Sequence, residues 1–110
     1  MTPEQFIKIY VVDGIELLSD EHRRFAEDAR NAAVDAYSKH KFESVHDLVM
    51  DHRIKLKERI CMHDSCTIKE YASALGLSYS TARKKLQKKV ADKMVRVNRK
   101  KRPYKFAFML

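Results

Sequence analysis

The segment Thr67–Ala91, TIKEYASALGLSYSTARKKLQKKVA, decides the fold. Thr67 followed three residues later by Glu70 is a capping box, which starts a helix at Ile68. Tyr71, Ala72 and Leu75 give that short helix an apolar side. Gly76 ends it as a residue free to take φ > 0, and Leu77 is a buried-type residue in the turn. Ser78 then caps a second helix, Tyr79 to about Ala91, with Ala82, Leu86 and Val90 facing inward. Two short helices joined by Gly76-Leu77-Ser78, the second strongly basic, describe a helix-turn-helix.

Downstream the hydrophobic period changes to two. Val95 and Val97 alternate with Arg96 and Asn98; Tyr104, Phe106, Phe108 and Leu110 alternate with Lys105, Ala107 and Met109. Between them lies Arg99-Lys100-Lys101-Arg102-Pro103. This pattern predicts a hairpin with a basic tip, its aromatic residues serving the core.

Upstream, three helices are expected. Thr2 and Pro3 open the first, read as Pro3–Leu18, with a strand over Ile7–Val12 as the competing assignment because Val11, Val12 and Gly14 weaken the stripe. Ser19 caps the second, with Asp20 and Glu21 at the positive end of its dipole. Phe25, Ala29, Ala32, Ala33, Ala36 and Tyr37 line one side of it, an arrangement that suits close approach of another helix, within the chain or across a dimer. Residues 39–42 read as a connector. Ser44 opens the third, Val45–Met62, with Val45, Leu48, Val49, His52, Leu56 and Ile60 inward.

The chain has 110 residues, 23 Lys+Arg, 15 Asp+Glu and a net charge of +8. Its hydrophobic fraction of 45% is enough for one modest core despite 35% charged residues. Only two Gly and two Pro argue against an all-β chain rich in tight turns. Charge is distributed unevenly. Met1–Ser65 carries 10 Lys+Arg and 13 Asp+Glu, a net of −3, whereas Cys66–Leu110 carries 13 Lys+Arg against Glu70 and Asp92, a net of +11. Such a field attracts polyanions, and carboxylates are not interspersed as solubility alone would favour. A membrane surface is not expected as partner, because Tyr79–Ala91 has too narrow an apolar stripe and no apolar run approaches the length needed to span a bilayer. Met1–Tyr10 lacks the basic start and apolar stretch of a signal peptide, and two cysteines make no disulfide framework. The expected location is therefore a reducing cytoplasm: nucleoid-associated in a prokaryote, host cytoplasm for a phage protein.

Cys66–Leu110, preceded by the helix at Ser44–Met62, resembles the winged helix-turn-helix domains of small bacterial, phage and archaeal transcription regulators. Thr67-Ile68 matches the short leading strand, Glu70–Leu75 the second helix, Gly76-Leu77-Ser78 the turn, Thr81 and Leu86 the spacing of the recognition helix, and Val95–Phe108 the wing. One departure is Lys93, where the family often has Gly; that backbone is expected to be less favourable. The resemblance implies a mainly α fold with a small β-hairpin: an N-terminal helical extension (1–42, a possible dimerisation element) followed by a winged helix-turn-helix (43–110). It also implies double-stranded DNA as the partner. The outward face of the recognition helix carries Tyr79, Ser80, Arg83, Lys84, Gln87 and Lys88. Arg83 matches guanine and Gln87 adenine, with Ser78 and Ser80 at the phosphate-binding helix start. Lys84, Lys88 and Lys89 suit phosphate positioning. Arg99, Lys100, Lys101 and Arg102 suit a backbone or minor groove. Any single lysine reads equally well as merely solvated; Arg83 together with the 99–102 cluster reads as binding.

Other motifs point nowhere. Cys61-Met62-His63-Asp64-Ser65-Cys66 holds three ligand types, but a fourth would have to be distant His46 or His52, so no metal is expected. His40, His46 and His52 are not aligned on one helix face. Asp47 and Asp51 share a helix face, which is more often a solvated side than a catalytic dyad. No phosphate loop, HExxH or nucleophile elbow is present, so neither enzyme activity nor a cofactor is expected.

The leading expectation is a sequence-specific regulator, dimeric through Phe25, Ala29, Ala32, Ala36 and Tyr37. The alternative is a winged-helix interaction module acting on transcription or replication machinery, with Asp20, Glu21, Glu27, Asp28 and Asp35 as the protein-contact surface and nucleic acid secondary. RNA binding is a weaker third reading, since the hairpin aromatics are better used as core than as a stacking platform.

Overall fold

In the computed structural model residues 1–40 and 44–109 are described. Among them the chain forms five helices and one two-stranded antiparallel sheet: α1 (Pro3–Tyr10), α2 (Asp20–His40), α3 (Val45–His63), α4 (Ile68–Leu75), α5 (Tyr79–Ala91), β1 (Val95–Asn98) and β2 (Lys105–Phe108). No helix is long and apolar enough to cross a membrane. Two compact units divide the chain, Met1–Lys57 and Glu58–Leu110. The division falls inside α3 rather than at the expected 42/43 boundary. Val45, Leu48 and Val49 belong to the core of the first unit, while Cys61 and Met62 belong to that of the second. Of the expected connector, Lys39 continues α2 and residues 41–42 lie outside the described residues, as does Leu110.

In the first unit α1 is shorter than expected. Thr2 and Gln5 form a reciprocal capping box, with Pro3 in the first turn. The helix stops at Tyr10, and Gly14 takes φ 71° in the turn that follows. Arg53 Nη1 donates to the carbonyls of Tyr10 and Asp13, and Arg30 Nε donates to that of Lys8. Cations thus take helix-end carbonyls that a longer helix would have used internally. The competing strand over 7–12 does not form. Ser19 caps α2 as expected, accepting from the His22 N–H at 3.1 Å. Ala26 and Ala33 are fully buried, whereas Ala32 is exposed. Ala29, Ala36 and Tyr37 pack on the unit's own core of Ile7, Val11, Ala33, Leu48 and Val49. Three of the five seam residues therefore have an intramolecular use. His52 Nδ1 lies 2.9 Å from the Leu48 carbonyl, a satisfied buried histidine.

The core of the second unit is Met62, Cys66, Tyr71, Ala72, Ala82, Leu86, Val95 and Phe106. Glu58 ties it together from α3. Its Oε2 accepts from the Tyr71 hydroxyl at 3.2 Å, and its Oε1 lies 2.7 Å from Lys89 Nζ. Burial first, and then the Glu58 carboxylate, push the Tyr71 phenol well above its usual pKa. Lys89, expected among the phosphate-positioning lysines, is thereby drawn into the fold.

Helices α4 and α5 end in the same hydrogen-bonded pattern. Leu77 N–H donates to Ala72 O and Gly76 N–H to Ser73 O; Met94 N–H donates to Lys89 O and Lys93 N–H to Val90 O. Both are Schellman motifs, which place a left-handed residue after the helix. Gly76 fills it at φ 66° in α4, and Lys93 at φ 59° in α5, so the missing glycine does leave a strained lysine. The hairpin pairs Val95 with Phe108 and Val97 with Phe106. The leading strand differs from Thr67-Ile68. It is Cys66 alone, exchanging two 2.8 Å hydrogen bonds with Phe106, because Thr67 is already the α4 cap.

Two stability predictions follow from these contacts. Glu58→Ala leaves a half-buried lysine and a buried phenol without their partner and costs about 2–3 kcal/mol, against about 1 kcal/mol for Tyr71→Phe. Lys93→Gly relieves the left-handed strain and gains about 1 kcal/mol. Urea unfolding midpoints at constant m measure all three.

Candidate nucleic-acid interface

Helix α5 is amphipathic because Ala82 and Leu86, both 0% exposed, fix which side faces the core. What remains outward is ordered by the four-residue spacing into neighbouring rows: Tyr79, Arg83, Gln87 beside Ser80, Lys84, Lys88. All six are exposed, Tyr79 at 59%. Ser78 does its work locally: its hydroxyl accepts from the Thr81 N–H at 3.2 Å and donates to Thr81 Oγ1 at 2.9 Å. Any anion at this helix start therefore meets backbone amides rather than the Ser78 side chain.

The hairpin completes the site. Tyr79, Arg83 and Gln87 from α5 line one groove of about 630 Å³ together with Arg99 and Arg102 from the tip. Its floor is apolar, formed by Ile68, Val90, Val97, Tyr104 and Phe106. Arg102 is held over the Tyr104 ring at 5.8 Å, a cation–π contact. Ser80, Lys84, Lys88 and Lys101 lie outside this groove, and Lys100 lines a different concavity with Arg96 and Lys105. Ile68 and Tyr104, which help line the α5 groove, and Arg96 and Lys105, which line only the separate concavity, were not among the residues expected. The strand alternation already puts Arg96 and Lys105 outward, and that signal was sufficient to find them.

Electrostatics separates the two units. In the first, Arg23, Arg30, Lys39 and Lys55 are held by Asp20, Glu27, Asp35 and Asp51 at 3.0–3.2 Å. Asp20, Glu27 and Asp35, members of the expected acidic contact surface, are thus already paired. In the second unit, among the described residues, Lys89 alone of the α5 and hairpin cations has a carboxylate partner. The site residues Arg83, Lys84, Lys88 and Arg99–Arg102 keep their charge uncompensated, which is what a polyanion requires.

No three His, Cys, Asp or Glu side chains come together as a metal site among the described residues. The two cysteines do communicate. The Cys66 thiol donates to the Met62 thioether at 3.6 Å. Hydrogen bonding between the two thiols lowers the Cys61 pKa against the opposing effects of burial, Glu70, Asp64 and Glu58, and the same bond, followed by burial, pushes Cys66 up. This asymmetry is invisible in the sequence, because it depends on the fold bringing the two thiols together.

Comparisons with protein-family models, curated proteins and solved structures give no match to this chain.

Alkylation reads the cysteine asymmetry directly. Cys61, partly exposed and with its pKa lowered, should react with iodoacetamide about tenfold faster than buried Cys66 in the native chain, and the difference should vanish in denaturant.

Proposed function

We propose that the protein binds double-stranded DNA as a small winged helix-turn-helix regulator, laying α5 in the major groove and the 99–102 tip on the adjoining backbone or minor groove. One observation carries the reading. Arg83 and Gln87, the two side chains with bidentate base-reading chemistry, share a groove with Arg99 and Arg102 and have no carboxylate partner there. A helix of 13 residues is about 20 Å long and 10–12 Å across, which suits the major groove. Arg83 and Gln87 read bases, while Ser80, Lys84, Lys88 and Lys101 position the backbone. Ala29, Ala36 and Tyr37 pack within the chain, so each chain is read as engaging one half-site by itself.

Fluorescence anisotropy with random duplex, single-stranded DNA and duplex RNA across a salt series tests the proposal. Duplex DNA should be preferred, and with six phosphate contacts affinity should fall on the order of a thousandfold between 50 and 200 mM salt. Arg83→Ala should cost about 1–3 kcal/mol on a selected site and relax its sequence preference. Arg99→Ala/Arg102→Ala should weaken all sequences alike and flatten the salt slope by about two. No duplex binding at low salt overturns the reading.

A further inference from the structure

The hairpin has a second basic face that the α5 groove does not use. Directly opposed residues of a sheet share a face, so the register puts Val95, Val97, Phe106 and Phe108 toward the core and Arg96, Asn98, Lys105 and Ala107 on the opposite side. That side forms a concavity of about 580 Å³ whose polar lining is Ser65, Arg96, Asn98, Arg99, Lys100 and Lys105. No carboxylate lines it, and among the described residues none of its four cations has an ion-pair partner. Arg96 and Lys105 stand diagonally across the two strands, about 7–8 Å apart at the backbone, a distance at which like charges repel and weaken the sheet. Core packing requires neither of them, and solubility is better served by mixed signs.

We propose that this outer face binds the phosphodiester backbone of a second DNA duplex, so that one chain bridges two duplexes. The occupant follows from shape and charge. An open concavity with cations spread over both strands fits an extended polyanion better than a small enclosed anion. A duplex seated in the α5 groove cannot supply that polyanion itself. The two concavities share Val97 and Arg99, but their other strand residues, Arg96, Asn98, Lys105 and Ala107 against Phe106, lie on opposite faces of the sheet, and DNA is stiff over about 150 base pairs, too rigid to fold around a hairpin. The identity of the polymer rests on the DNA reading above; the second face rests on the sheet register.

The test mixes donor-labelled and acceptor-labelled short duplexes with the full chain at low salt, reading energy transfer and duplex-to-chain stoichiometry. Wild type should hold two duplexes per chain and give transfer. Arg96→Ser/Lys105→Ser, both on the exposed side of the sheet, should keep first-duplex affinity within about threefold while transfer falls at least about tenfold. Circular dichroism confirms that this variant is folded. One duplex per wild-type chain overturns the second face alone, as does transfer that survives in the variant, which would mean two copies linked through their first surfaces. A wild type that binds no duplex overturns both proposals.

Discussion

The second unit hangs on one carboxylate. Glu58 reaches α4 through the Tyr71 hydroxyl and α5 through Lys89, so three helices are fixed by two contacts on a single side chain. Neither partner is freely solvated: the Glu58 and Lys89 side chains are 19% and 24% exposed, and Tyr71 is fully buried. At such sites an ion pair is valued less for net stability than for geometry, because each group is costly when left alone. Here the consequence is rotational. With Lys89 drawn inward alongside Ala82 and Leu86, the rows of Arg83–Gln87 and Lys84–Lys88 are left to face solvent.

That rotation accounts for the concentration of free positive charge. The first unit pairs Arg23, Arg30, Lys39 and Lys55 with carboxylates one helical turn away and ties Arg53 to carbonyls at and just beyond the end of α1. Exposed pairs of that kind contribute little to stability but flatten the surface potential. The second unit has almost no carboxylates to do this, and Glu58 and Glu70 are occupied by Tyr71, Lys89 and the Thr67 cap. Its potential is therefore projected outward from α5 and both faces of the hairpin. Strain at Lys93 belongs to the same picture, since the Schellman turn it completes sets the direction in which β1 leaves α5.

Much of this was legible in the residues. Capping boxes and cap serines placed the starts of α2, α3, α4 and α5 to within a residue, because an N-cap is a local hydrogen bond between near neighbours. The hairpin was readable from its period of two. Failures occurred where distant groups intervened. Arg53 lies far along the chain from Tyr10, yet it helps to end α1 there; Phe106 likewise recruits Cys66 as a one-residue strand. The unit boundary within α3 was hidden for a similar reason, since one continuous apolar face serves two cores. At the candidate site, α5 and the tip were each visible as basic segments. Their sharing of one groove, and the removal of Lys89 from the binding face, depend on tertiary contacts that no spacing encodes.

The most direct check on the central claim, that α5 and the hairpin tip grip one duplex together, is a ¹⁵N-resolved NMR titration of the full chain with a short DNA duplex. Up to one duplex per chain, amide shifts should concentrate at 79–88 and 99–104 and leave α2 still, with the Arg83 and Arg102 side-chain signals moving in step. Shifts confined to α2, or to the hairpin without α5, would contradict the account.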